Sequence, residues 1–152
     1  MARSGAGCSG LQELRGHAVT RESALERQRK IFLAAPAASS LARSWATTQF
    51  DRLGLTDGVR DDVELVLAEL VNNAITHTSA TTVAVTLIVA SDVTVVVEDD
   101  SADSPPRLRR PAHSDESGRG MRIIEALAQS WGTTPTAHGK AVWARLRRVD
   151  GT

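Results

Sequence analysis

The succession of apolar periodicities predicts an α+β domain, a two-layer sandwich whose mixed, mainly antiparallel sheet carries its helices on one face. Three observations predict it. A helical period runs through Val59, Val63, Val66, Leu67, Leu70 and Ala74. A two-residue period follows, in which Val83, Val85, Leu87 and Val89 alternate with Thr82, Ala84, Thr86 and Ile88. The order along the chain reads strand, helix, helix, two strands, helix, two strands.

Residues 1 to about 10 are rich in Gly, Ser and Ala, and residues 11–28 are polar with little periodicity. Residues 1–28 therefore read as a disordered or frayed extension, and the folded domain is placed at 29–149. Lys30 to Ala34 forms a short strand stopped by Pro36. A helix spans Ser39 to Leu53, ended by Gly54 and the Thr56-Asp57-Gly58 turn. The long helix runs from Val59 to Thr78. Ala90-Ser91-Asp92 then joins the alternating strand to a second one carrying Val93, Val95 and Val97. That strand ends in Glu98-Asp99-Asp100-Ser101, which places carboxylates at a strand end.

Asp100 to Ser117 has no periodicity and three prolines. A loop of that length inside a compact domain is usually functional or disordered. Gly118-Arg119-Gly120 opens a helix with an apolar face of Met121, Ile124, Leu127 and Ala128, closed by Trp131-Gly132. The last element is a strand or hairpin with Val142, Ala144 and Leu146 on one face and Trp143 on the other.

The 152 residues hold eighteen basic and eighteen acidic side chains, a balance that gives no reason to expect a nucleic acid or an anionic membrane as partner. Cys8 is the only cysteine, which excludes an internal disulfide and a cysteine zinc cluster. No apolar run reaches the roughly 18 residues of a spanning helix. The N-terminus carries an arginine without an apolar stretch behind it, so the expected location is the cytoplasm.

The chemistry gathers at Glu69-Leu70-Val71-Asn72-Asn73-Ala74-Ile75-Thr76-His77. Glu69 and Asn73 are four apart, one turn above the other at the edge of the buried face. Half-burying a carboxylate and a carboxamide is costly unless something hydrogen-bonds or ligates them. A Mg²⁺-bound nucleotide does both. Asparagine oxygen suits Mg²⁺, which also takes substrate phosphates. Amides free at the start of the glycine-led helix suit phosphate, and a strand-end carboxylate such as Asp99 accepts from an exocyclic amine. Taken singly, each feature has a plainer reading: a satisfied polar pair, an acid ending a strand, a flexible helix entry.

In combination they resemble the GHKL, or Bergerat-fold, ATP-binding superfamily, in its anti-sigma-factor serine/threonine kinase branch. The N-box E-L-V-x-N-A-x-x-H is met by Glu69 to His77. The strand-end D-x-S-x-x-x-P is met by Asp99, Ser101 and Pro105. G-R-G-[LM] is met by Gly118, Arg119, Gly120 and Met121, and W-G…G-K-x-V-W-A by Trp131-Gly132 and Gly139 to Ala144. The resemblance implies ATP and Mg²⁺ as cofactors, Glu69 as general base and Asn73 as Mg²⁺ ligand. It makes Asp99 the adenine-reading acid, with Ser101 and Met121 beside the nucleotide. Gly118 and Gly120 would supply phosphate-binding amides, with Arg119 screening phosphate charge, and residues 100–117 would form the ATP lid. His77 reads as a core histidine, and Trp131 and Trp143 as core.

Two positions depart from the family pattern. Ser101 stands where the wider superfamily has glycine. A threonine expected on the last strand, which supports the strand-end aspartate, corresponds to Ala141, and this implies weaker nucleotide binding. The implied partners are an anti-sigma-factor antagonist, a sigma factor or both, with a homodimer by family analogy. A non-catalytic module that senses nucleotide or binds a partner is the alternative reading.

Overall fold

The computed structural model describes residues 25–76, 78–101 and 116–148, residues 116–119 in their backbone only. His77, residues 1–24 and the lid segment 102–115, with Pro105, lie outside the described residues.

The elements come in the expected order: β1 (Glu26–Leu33), α1 (Ala38–Leu53), α2 (Asp57–Thr76), β2 (Thr82–Val89), β3 (Asp92–Asp99), α3 (Glu116–Leu127), β4 (Ser130–Pro135) and β5 (Lys140–Arg147). The five strands form one sheet in the order β1-β2-β3-β5-β4. Among the described residues every pairing is antiparallel, so the sheet expected to be mixed and mainly antiparallel shows antiparallel pairs throughout.

Opposed residues of an antiparallel pair share a face, which fixes the two sides of the sheet. Phe32, Val83, Val85, Leu87, Val89, Val93, Val95, Val97, Ala144 and Leu146 point inward and join the core with residues of all three helices. Ile88, Val96, Ala141 and Trp143 form a smaller buried cluster on the other side, joined by Leu25. The long helix α2 lies across β3 and β5 and buries Val59, Val63, Val66, Leu67, Leu70, Val71 and Ala74. Burying a leucine such as Leu67 or Leu70 contributes about 1.5–3 kcal/mol. No helix among the described residues is long and apolar enough to cross a membrane.

Several boundaries differ from the sequence reading: α2 ends at Thr76 and not at Thr78, and α3 begins at Glu116, so that Glu116 and Ser117 leave the expected loop for the helix. The first strand starts at Glu26, four residues before Lys30, and so takes residues 26–28 from the extension. Its exposed Arg27 and Arg29 hide the alternation because β1 is an edge strand facing water. Asp57 and Gly58 belong to α2, where Asp57 meets the positive end of the dipole. The connection before them is Gly54-Leu55-Thr56, with Gly54 in the left-handed conformation at φ 71°. Finally, Trp131-Gly132 lies in β4, since α3 ends at Leu127.

Candidate functional site

Glu69 and Asn73 stand one turn apart on α2, both half-buried at the edge of the apolar stripe. What they meet is α3. A Cβ on Gly120 would overlap Glu69 Oε2 and lie 3.3 Å from the carboxyl carbon, so the carboxylate rests on a bare Cα. One residue on, Met121 Sδ accepts a hydrogen bond from Asn73 Nδ2 at 3.5 Å. Thioether sulfur is a weak acceptor, and this contact turns the amide nitrogen toward α3, while among the described residues the carbonyl oxygen has no partner.

The glycines of α3 have different uses. Gly118 is the third residue of the helix, among the amides with no carbonyl one turn back. Gly120 is the fifth, where an amide bonds to the carbonyl four residues earlier. What the structure shows at Gly120 is the use of its missing side chain, into whose place the Glu69 carboxylate fits. The Arg119 side chain lies outside the described residues.

The strand end is built by different contacts. Asp99 closes β3 with its side chain 2% exposed. Its Oδ1 accepts the Ser101 N–H at 2.9 Å, and its Oδ2 accepts from Lys140 Nζ at 2.9 Å. Ser101 is buried; its Oγ accepts the Ser79 N–H at 3.3 Å and lies 3.2 Å from Ser79 Oγ. That pair ties the strand end to the segment just after α2. Ser101 thus has a structural use that a glycine at this position would lose.

Gly139 completes this corner. A Cβ there would overlap the main-chain oxygen of Asp99 and lie 2.8 Å from its Oδ1. The neighbouring Asp100 turns outward and accepts from the hydroxyl and N–H of Thr81 and from the N–H and hydroxyl of Thr82. The Thr81 hydroxyl first, then the two N–H groups, hold its pKa down at about 2.

The expectation for Ala141 is corrected by register. Ala141 is opposite Glu98 and points to the outer side of the sheet, so no side chain at 141 faces Asp99. Lys140 stands directly across from Asp99 and makes the supporting contact. Lys140 and Gly139 are the site residues that sequence reasoning missed. Both lay within the G-K-x-V-W-A stretch, but their use depends on which residue of β5 faces which residue of β3.

α2 thus faces α3 through Glu69 and Asn73, and it leads through Ser79 to the Asp99 corner. A family model described as a histidine kinase-like ATPase domain matches residues 32–146. The chain belongs to that family. A search of curated proteins gives no match. The histidine kinase-like ATPase match runs from inside β1 to inside β5, and therefore holds every site residue described above. The antiparallel sheet with helices on one side is the architecture the family implies.

ATP and Mg²⁺, the groups this family implies, fit the residues present on two observations. The bare Cα of Gly120 lets the Glu69 carboxylate come up against the backbone of α3, and among the described residues the amide oxygen of Asn73 makes no hydrogen bond. Mg²⁺ keeps waters and substrate phosphates around it, so one or two protein oxygens suffice.

Proposed function

We propose that this histidine kinase-like ATPase domain is an ATP·Mg²⁺-dependent protein serine/threonine kinase of the anti-sigma-factor type. Its substrate would be a serine on a small anti-sigma-factor antagonist. It would act as a partner switch in transcription regulation, holding the antagonist or a sigma factor, as a cytoplasmic homodimer without direct contact to nucleic acid. The observation that supports this reading most is the apposition of Glu69 and Asn73 to Gly120 and Met121. It sets a base and a cation-binding oxygen side by side against the glycine-bearing helix.

When bound, ATP supplies the γ-phosphoryl group. Catalysis in such transfers comes mainly from positioning and electrostatics. Asn73 Oδ1 would hold the cation, and the amides of the first turn of α3, Gly118 included, would face phosphate. Glu69 would accept the proton of the attacking serine hydroxyl. Asp99 would receive the exocyclic amine of the base.

Two measurements test the reading. In calorimetric titration, Asn73→Ala should abolish the Mg²⁺-dependent part of ATP binding; an unchanged Mg²⁺ dependence would remove Asn73 as ligand. With labelled ATP and a candidate antagonist, Glu69→Ala should cut serine phosphorylation by about 10²–10⁴-fold, the usual weight of a general base. Transfer at the wild-type rate would exclude Glu69 from that role. One observation favours the second reading, a non-catalytic regulatory module: both oxygens of Asp99 already accept hydrogen bonds within the protein. That reading predicts no transfer by the wild-type protein to any antagonist.

A further inference from the structure

Lys140 is a lysine with its side chain only 14% exposed, held on a carboxylate that is 2% exposed. Lysine is seldom buried to this degree unless it is paired, and here the pair spans two neighbouring strands at opposed positions. An ammonium carries three donors and no acceptor. One donor goes to Asp99 Oδ2, and among the described residues Nζ has no second acceptor. Among the described residues each oxygen of Asp99 takes one hydrogen bond, although a carboxylate oxygen can accept two. The corner therefore presents an acceptor with spare capacity beside a cation with unspent donors. Gly139, without a Cβ, packs directly against the main-chain oxygen and Oδ1 of Asp99 and so fixes where that carboxylate stands.

We propose, resting on the nucleotide-binding reading above, that Lys140 is a base-reading residue which works with Asp99 to select adenine. The six-membered ring of adenine offers an amine, N6, next to a ring nitrogen without hydrogen, N1. Asp99 accepts from N6 while Lys140 donates to N1. A hydroxyl at this place could rotate to donate or accept, whereas an ammonium only donates. A guanine in the same pose sets its O6 against the carboxylate and its N1–H against the ammonium, which is unfavourable on both counts. The side chain thus adds a contact to the base and also a reason for rejecting the other purine.

The test is a titration of the full chain with Mg²⁺ and three nucleotides: ATP, GTP and 1-deaza-ATP, in which N1 is replaced by C–H. Wild-type protein should bind ATP about tenfold more tightly than 1-deaza-ATP, the worth of one good hydrogen bond, and GTP more weakly still. Lys140→Met keeps most of the apolar stem without the charge. It should bind ATP and 1-deaza-ATP equally, with a reduced preference over GTP. Lys140→Arg, which keeps charge and donors, should restore part of the preference for N1. A thermal melt of each variant confirms that it is folded.

Loss of affinity for ATP and 1-deaza-ATP by the same factor in Lys140→Met would overturn the proposal, because a lysine that only props Asp99 does not sense N1. Tighter ATP binding in Lys140→Met would overturn it in the opposite direction, showing that the ammonium blocks the acceptor. A folded wild-type protein that binds none of the three nucleotides would sink the nucleotide reading itself, and this inference with it.

Discussion

At the helical end of the candidate pocket, Gly120 lies against the far end of the Glu69 side chain, whereas at the strand end Gly139 lies against the main chain of Asp99. Both glycines leave room for a carboxylate, yet the obstacles differ in stiffness. A glutamate can swing its carboxylate away by rotating about its side-chain bonds. A peptide oxygen next to a paired strand cannot move without breaking the ladder. The helical end should therefore tolerate added volume in its fold and lose function. The strand end should lose stability first.

The largest effect should come from Gly139→Ala. Forcing a methyl group into packed main chain costs about 1–3 kcal/mol or more, which lowers the melting midpoint by about 5–10 °C in a domain of this size. A melt within a degree or two of wild type would break the comparison. Gly120→Ala should leave the melt nearly unchanged, because Ala is favoured over Gly in a helix by about 1 kcal/mol and Glu69 can turn aside. Phosphoryl transfer should nevertheless fall by about 10²-fold, the cost of misplacing a catalytic group by roughly an ångström. A Gly120→Ala protein that melts far below wild type would show that the helical end is as stiff as the strand end.

The smallest effect concerns Asp100, beside the strand end but turned to water. Its folded pKa of about 2 lies below the ordinary 3.8. A depressed carboxylate stabilises the fold fully above its unfolded pKa, and that contribution fades as pH falls through the folded value. In Asp100→Asn the midpoint difference from wild type should stay constant from neutral pH down to about 4, then shrink toward zero near pH 2. A difference that persists undiminished at pH 2 would mean that the Thr81–Thr82 cradle does not depend on the charge.

These contrasts also explain what could be read in advance. The face of α2 was legible because a 3.6-residue period needs no partner: Val59 to Ala74 announce the core, and Glu69 and Asn73 fall on its edge. The β2–β3 hairpin was legible for the same reason, from a period of two. The start of β1 was hidden, since Arg27 and Arg29 occupy an exposed edge where apolar alternation is not required. The end of α3 was misplaced because Trp131 looks like a helix-closing core residue but belongs to β4. The strand-end support was assigned to Ala141, one position from Lys140, and a shift of one residue in a strand reverses the face.

The sequence by itself determined the α+β class, the apolar faces of α2, β2 and β3, and the placing of Glu69, Asn73 and Asp99 at the borders of those faces. Such features are local, written in the spacing of residues along one element. Only the tertiary structure decided that Gly120 is used for its missing Cβ, that Ser101 binds Ser79, and that Lys140 grips Asp99. Those contacts join residues 51, 22 and 41 positions apart. Pairings at such separations are set by how helices pack and by which strand residues lie opposite one another, and neither is encoded in the periodicity of a single segment.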